Sequence, residues 1–339
     1  MSKILVTGGT GYIGSHTVVE LFNAGYDVVI VDDLSNSDIK ILEQIEKIAG
    51  KKPAFVELDL CNEKEVAAFE TQHQDITGII HFAAFKAVGE SVQEPLKYYR
   101  NNFYSLINLL TAYNSKIKLV FSSSCTVYGQ PDVLPVTELA PVKKAESPYG
   151  NTKQIAEEIL QETCAVNADL EVIVLRYFNP VGAHHTALIG ELPNGVPQNL
   201  VPFITQSAIG KRDSITVYGD DYNTPDGSAI RDYIHVVDLA KAHVSAIKRL
   251  ANEREANYEV FNIGTGKGSS VLEIINAFEQ STGEKLRYTI GKRREGDIEQ
   301  TFGDVTKANE VLGWKAALDI NEMMNSAWKW EKYLKDNPF

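Results

Sequence analysis

Apolar residues in the first half of this chain come in short unbroken runs. Residues 3–7, 27–31, 54–59, 78–84, 118–124 and 171–176 each read as a buried strand. Between them apolar positions recur at helical spacing, in 15–24, 35–49 (Ile39, Leu42, Ile45, Ile48), 63–72 behind the capping residue Asn62, 95–114 and 148–166. Strands without period-two alternation, each followed by a helix, predict a parallel sheet covered on both faces. After Asn179 the texture changes. Residues 179–202 are rich in Gly, Pro, Asn and His and read as a long loop, and smaller elements follow. These are a helix over 198–210, a strand over 214–218, an acidic loop over 219–227, and helices over 236–252, 271–282 and 321–334. The apolar run 260–264 is a candidate to rejoin the sheet.

The first strand runs into Gly8-Gly-Thr-Gly11-Tyr-Ile-Gly14, which fits G-x-x-G-x-x-G from Gly8 and G-x-G-x-x-G from Gly9. Strand, glycine turn and helix together aim backbone N–H groups and a positive helix end at one point, which suits a pyrophosphate. Asp32 closes the next strand, where an acid grips the ribose 2′-hydroxyl and repels a 2′-phosphate. No Arg follows it closely, so NAD is favoured over NADP. The expected fold is a doubly wound, Rossmann-like α/β sheet with a smaller mixed α/β substrate domain. The working division is 1–180 and 181–339, with 236–265 a candidate to cross back. Asp32, Asp59 and Ser122 to Ser124 all fall at carboxyl ends of strands, where such sheets bind ligands.

Composition narrows the partners. The 339 residues carry a net charge of −12, which argues against nucleic acid or anionic membranes. An anionic substrate therefore needs local cations. No apolar run approaches the ~18 residues of a membrane span, and the first strand starts too early to leave room for a signal peptide. Cys61, Cys125 and Cys164 lack metal-like spacing and read as reduced thiols of a cytoplasmic protein. No metal is expected: His184-His185 reads as a polar loop. Tyr222 beside Asp220-Asp221 reads as a solvated turn, and Lys292-Arg-Arg294 is too short for a nucleic-acid patch.

Tyr149-Gly-Asn-Thr-Lys153 follows Pro148 at a helix start, and its i, i+4 spacing puts phenol and ammonium on one face. A free phenol has a pKa of about 10, so ionising it near neutrality needs roughly 4 kcal/mol of charge stabilisation. A nearby ammonium and a positive nicotinamide ring could supply it. The phenolate would take a proton from a substrate hydroxyl as hydride leaves the same carbon, with Ser124 hydrogen-bonded to that oxygen.

These motifs resemble the extended short-chain dehydrogenase/reductase superfamily. Within it the chain is similar to UDP-glucose 4-epimerases along nearly its whole length. The resembling segments are His81-Phe-Ala, Lys86-Ala-Val-Gly-Glu-Ser91, Phe121-Ser-Ser-Ser-Cys-Thr-Val-Tyr-Gly129, Ser147-Pro-Tyr-Gly, Leu175-Arg-Tyr-Phe-Asn-Pro-Val-Gly-Ala183, Arg231-Asp-Tyr-Ile-His and Arg294-Glu-Gly-Asp297. The resemblance implies NAD that stays bound, and abstraction of the sugar 4-hydroxyl proton by Tyr149. A 4-keto sugar then turns over, interconverting UDP-galactose and UDP-glucose. It implies cofactor contacts at Tyr12, Ile13, Asp32, Asn36, Asp59, Leu60, Phe82, Lys86, Asn101 and Phe178, besides Ser124, Tyr149 and Lys153. It assigns Asn179, Asn199, Arg231, Arg294 and Asp297 to the UDP-sugar, with Asn102 and Gln198 as neighbouring alternatives to Asn101 and Asn199. It also implies a homodimer through the helices 95–114 and 148–166.

Two departures stand out: Cys125 where alanine is common, and Thr301 where some members carry tyrosine. Thr301 matches a gate beside the sugar C2 substituent, so N-acetylated UDP-sugars become candidate substrates. A related dehydratase needs carboxylates that Ser124-Cys125-Thr126 does not supply. A catalytically silent NAD-binding sensor has little reason to hold Ser124, Tyr149 and Lys153 together.

Overall fold

The computed structural model describes residues 2–113, 117–252, 256–294 and 297–339. At its centre is a parallel sheet built from β1 (Lys3–Thr7), β2 (Asp27–Asp32), β3 (Ala54–Glu57), β4 (Ile76–His81), β5 (Lys118–Ser124), β6 (Glu171–Tyr177) and β7 (Tyr258–Ile263). Their order is β7-β6-β5-β4-β1-β2-β3, every neighbour parallel. The order reverses at β1, so a crevice opens there beyond the carboxyl ends of the strands.

The unbroken apolar runs follow from burial on both faces. Leu5 packs with Val29, Ile79, Leu119 and Val172 beneath helices Glu63–Gln72, Pro95–Ala112 and Pro148–Val166. Ile4 and Val6 point the other way, into a cluster with Val18, Leu21, Ile45, Ile80, Leu239 and Ile247 from helices Tyr12–Asn23, Ile41–Ala49 and Val236–Leu250. Each buried aliphatic contributes about 1.5–3 kcal/mol, which favours apolar residues on both faces away from the carboxyl ends of the strands. A third cluster gathers Val201, Ile204, Val217, Ile274, Phe278, Met324 and Trp328 among helices Leu200–Ala208, Val271–Thr282 and Ile320–Asp336.

Several boundaries differ from the sequence expectation. The helix expected over 35–49 begins only at Ile41, because Leu34 takes a left-handed φ of 58° and the Asp38 carboxylate receives Lys40 N–H. Asn62 caps its helix as expected, accepting from Glu65 N–H. The helix after Pro95 ends at Ala112, and the expected terminus Asn114 lies outside the described residues. A short helix, Val88–Gln93, was not foreseen. Tyr258–Ile263, the strand containing most of the run 260–264, lies beside β6 at the edge of the sheet.

Candidate active site

The glycine turn joins β1 to the helix Tyr12–Asn23. Gly8 has a φ of 69°, and a Cβ there would lie 2.9 Å from Ala83 N. A Cβ on Gly14 would lie 2.2 Å from the Gly8 carbonyl oxygen, so helix and turn touch backbone to backbone. Gly11 is the N-cap and offers no side chain to the first-turn N–H groups of Tyr12, Ile13 and Gly14. That bare, positive helix end fits a pyrophosphate. Asp32 is buried beside it, its Oδ2 accepting from Thr10 N–H (3.0 Å) and its Oδ1 from Leu34 N–H (3.0 Å) and Ser37 Oγ (3.1 Å). A carboxylate accepts about four hydrogen bonds, so capacity remains for a ribose hydroxyl.

The other expected cofactor contacts spread along the strand ends. Asp59 is exposed and holds Cys61 N–H, while the buried Leu60 presents its carbonyl to Asn108. Asn36 is exposed and accepts from Asn194. Phe82 follows β4 and packs against His243, and Phe178 is buried where a Cβ on Gly303 would sit 2.4 Å from its ring. Lys86 Nζ lies 5.9 Å from the Tyr12 ring centre. Asn101 donates to Asn102, and it is Asn102 that is buried. Asn102 exchanges hydrogen bonds with the Phe85 backbone and donates to Thr152 Oγ1 at 3.0 Å. It thereby ties the loop after β4 to the Tyr149 helix.

Successive turns of the helix Pro148–Val166 hold successive residues at the end of β5. Ser147 caps the helix by accepting Gly150 N–H at 3.1 Å, and Pro148 supplies its first turn. Ser124 lies close enough to the Tyr149 phenol to act on its ionisation, and Lys153 Nζ donates to the Ser122 carbonyl at 2.8 Å. One turn further, Glu157 accepts from Ser123 Oγ at 2.5 Å and forms a buried ion pair with Arg176. Arg176 donates to Tyr128, whose hydroxyl donates to Asn262. Glu157 continues the 149/153 face at i+4 spacing, the one signal that could have found it.

Burial governs the charges here. It pushes the Tyr149 phenol well up, with the Tyr177 hydroxyl adding to the rise and Ser124 opposing it. Burial lowers Lys153 to about 8, against the pull of Glu157. His81 falls to about 3 through burial and the Lys153 charge, and bonds Thr7 Oγ1 at 2.9 Å. The protein by itself thus keeps Tyr149 a neutral phenol, and the expected lowering needs charge from a bound ligand.

Three short strands form the opposite wall: Ser269–Ser270, Ile230–Arg231 and Gln300–Thr301. Thr301 is buried and registers with Arg231. Arg231 donates to the Ile230 carbonyl and approaches Asp297 at 4.0 Å. Cys125 lies between this wall and β5, since Ser124, Arg231 and Asp232 all act on its thiol while burial pushes it up to about 12. Asp232, missed in the sequence, is buried and accepts from Thr265 N–H, Thr265 Oγ1 and Gly266 N–H. A Cβ on Gly264 would lie 2.4 Å from that carboxylate. Asn179 joins the wall through its N–H to the Asp232 carbonyl.

Arg294 stands apart from this group, exposed and stacked 4.0 Å from the Tyr218 ring centre. Asn199 caps the helix Leu200–Ala208 without a side-chain cap bond and donates instead to Glu191 at 2.7 Å. The residues between Arg294 and Asp297 lie outside the described set.

One sequence reading is corrected and one is refined. Tyr222 is buried, covered by Arg293, because that guanidinium pairs with Asp221 and stacks on its ring at 4.0 Å. His184 lies in a loop as expected, but it is buried, 6.4 Å from the His16 ring. No group of metal-ligating side chains occurs among the described residues, and no described helix is long and apolar enough to cross a membrane.

Fold and site together define an extended short-chain dehydrogenase/reductase. A family model described as GDP-mannose 4,6 dehydratase matches residues 5–327. The UDP-glucose 4-epimerase of Dictyostelium discoideum is 50% identical over 333 residues, covering 97% of this chain and 95% of its own. A Stenotrophomonas maltophila UDP-glucose-4-epimerase, solved with NAD and formylated UDP-arabinopyranose, superposes with TM-score 0.96 at 47% identity, covering 99% of each chain. The Bifidobacterium longum enzyme, solved with NAD+ and UDP, gives TM-score 0.93 at 45% identity and 99% of each chain. The chain belongs to the UDP-glucose 4-epimerase family.

Proposed function

We propose that this protein is an NAD-dependent isomerase that interconverts UDP-galactose and UDP-glucose through a transient 4-keto sugar. The observation that carries this reading is the placement of Tyr149 and Lys153 against the end of β5, with Lys153 Nζ on the Ser122 carbonyl and Tyr149 beside Ser124. When bound, NAD supplies reversible hydride acceptance at the sugar C4 and a positive ring near the phenol. Tyr149 takes the 4-hydroxyl proton while Ser124 holds the same oxygen, and Lys153 braces the strand end through Ser122. The keto sugar turns over in its pocket, and Tyr149 returns the proton. Tight anchoring of the UDP leaves the sugar free to turn, so Asn179, Asn199, Arg231, Arg294 and Asp297 act far from C4. Gly8, Gly11, Tyr12, Ile13, Gly14, Asp32, Asn36, Asp59, Leu60, Phe82, Lys86, Asn101 and Phe178 hold the cofactor in this reading.

Elimination of water from C6 is disfavoured because Ser124-Cys125-Thr126 carries no carboxylate. The decisive experiment is NMR of UDP-galactose incubated with the protein as isolated, without added NAD. Exchange at C4 is expected. A 4-keto-6-deoxy product would replace this reading with a dehydratase, and no product with or without NAD would leave an NAD-binding sensor.

Three finer readings accompany it. The buried Thr301 carries no ring, which supports slow acceptance of the N-acetylated UDP-sugars. A homodimer is supported by the exposed apolar residues Leu96, Tyr104 and Ile107 on the helix Pro95–Ala112, which packs beside Pro148–Val166. Sedimentation at micromolar concentration checks it, and a species of 37.5 kDa alone would refute it. Cys61, Cys125 and Cys164 form no disulfide among the described residues, which suits the cytoplasm.

A further inference from the structure

Glu191 meets candidate cofactor residues on one side and a candidate substrate residue on the other. Its Oε1 accepts from Asn199 Nδ2 at 2.7 Å and lies 3.6 Å from Lys86 Nζ. The Tyr12 phenol is close enough that the Glu191 charge adds to the rise that burial causes in it. Tyr12 opens the first helix, and its hydroxyl donates to the Gly182 carbonyl at 2.6 Å. The Glu191 side chain is only 11% exposed against 49% for Lys86, so the carboxylate is the fixed member of the pair.

Its place is set from behind. Trp330 Nε1 donates to the Glu191 carbonyl at 2.8 Å, and the indole fills the space a Cβ on Gly190 would occupy, 2.5 Å away. Gly190 also bridges to Ala183. The helix Ile320–Asp336 thus holds the Glu191 backbone from behind through one indole.

We propose that Glu191 is a positioning residue that aligns the cofactor-facing Lys86 and the substrate-facing Asn199 from one carboxylate. The proposal rests on the roles given above to those two residues. An ionised carboxylate only accepts hydrogen bonds, so it dictates which end of the Asn199 amide faces it. Nδ2 points inward, and Oδ1 is left to receive an N–H or O–H from the nucleotide. The same charge keeps the Lys86 ammonium over the Tyr12 ring, beside the uncapped helix end that suits a pyrophosphate. Neither task is catalytic, because Glu191 touches no reacting atom.

Two substitutions separate the tasks. Glu191→Ala removes both, and Glu191→Gln keeps an acceptor for Asn199 while losing the charge that holds Lys86. With Glu191→Ala, KM for UDP-galactose should rise about ten-fold and bound NAD should be lost about ten-fold faster on dialysis, the scale of one lost charge-assisted contact. With Glu191→Gln, KM should stay within about two-fold while NAD loss remains fast. Adding Asn199→Ala to Glu191→Ala should raise KM no further, since the two act as one unit. Both quantities within two-fold of wild type in Glu191→Ala would overturn the proposal. So would equal changes in Ala and Gln variants that track a common fall in Tm. Titration with UDP in a calorimeter needs no turnover. A wild-type protein without epimerase activity, whose UDP affinity still falls on Glu191→Ala, sinks the proposed function and leaves this inference standing.

Discussion

The two walls of the site are built by different means. The wall facing the dinucleotide is backbone: glycines in contact at the turn, a bare helix end, and a buried Asp32 bonded to two main-chain N–H groups. The wall proposed to face the sugar is made of side chains on two-residue strands, with Arg231 and Thr301 paired in register, while Arg294 lies apart on Tyr218. A backbone cradle has one working shape, so damage to it is all or none. A side-chain wall can change one residue at a time.

The sharpest cut falls where the walls meet. Tyr149→Phe should lower turnover about a thousand-fold while NAD stays bound, because it deletes the proposed acid/base oxygen and little volume. Single-turnover kinetics with absorbance of the bound cofactor would show both effects, and near-normal turnover would remove Tyr149 as the base. Next comes the backbone wall. Gly14→Ala places a Cβ 2.2 Å from the Gly8 oxygen and should cost about 3 kcal/mol or abolish NAD binding, read by denaturant unfolding with and without NAD. A variant that unfolds and binds like wild type would break the contrast.

Acid should act on the histidines near the seam and the sheet. His16 and His81 are held at about 3, and His184, His235 and His243 at about 4, chiefly by burial. Their ordinary value is 6.5, so below that pH the unfolded chain takes up protons that the folded one refuses. Their neutral burial is free of this penalty above pH 6.5, and stability falls as pH drops from there towards 4. The fall is up to about 1.4 kcal/mol per pH unit for each histidine. Tm measured from pH 8 to pH 4.5 should be flat and then drop; a flat profile throughout would contradict it. The smallest effect belongs to the side-chain wall. Thr301→Tyr should reduce turnover of UDP-GlcNAc several-fold and spare UDP-glucose, since a ring would fill the space proposed to lie beside C2. Equal losses on both substrates, or no wild-type activity on UDP-GlcNAc, would sink the gate.

The same contrast explains what could be read from the chain alone. The apolar runs of β1 to β6 and the glycine turn were legible because each is local: neighbours in sequence form the element and the cradle. Tyr149 and Lys153 were legible because one helix turn places them together. Asp232 and Glu191 were not, because their partners Thr265 and Lys86 are remote in sequence and carry no periodic signal. Burial of Tyr222 and His184 was hidden for the same reason, since the covering groups come from other segments.

The edge strand β7 has a consequence for synthesis on the ribosome. It pairs with β6 along Tyr258–Ile263 and Val172–Tyr177, although about 80 residues of chain intervene. At 5–20 residues per second, β6 waits on the order of ten seconds for its partner to emerge. During that interval its outer row of N–H and C=O groups is open to any passing strand. A nascent chain stalled before Tyr258 is therefore a sticky one, and the intervening loops, helices and short strands must condense quickly enough to bring the last strand home.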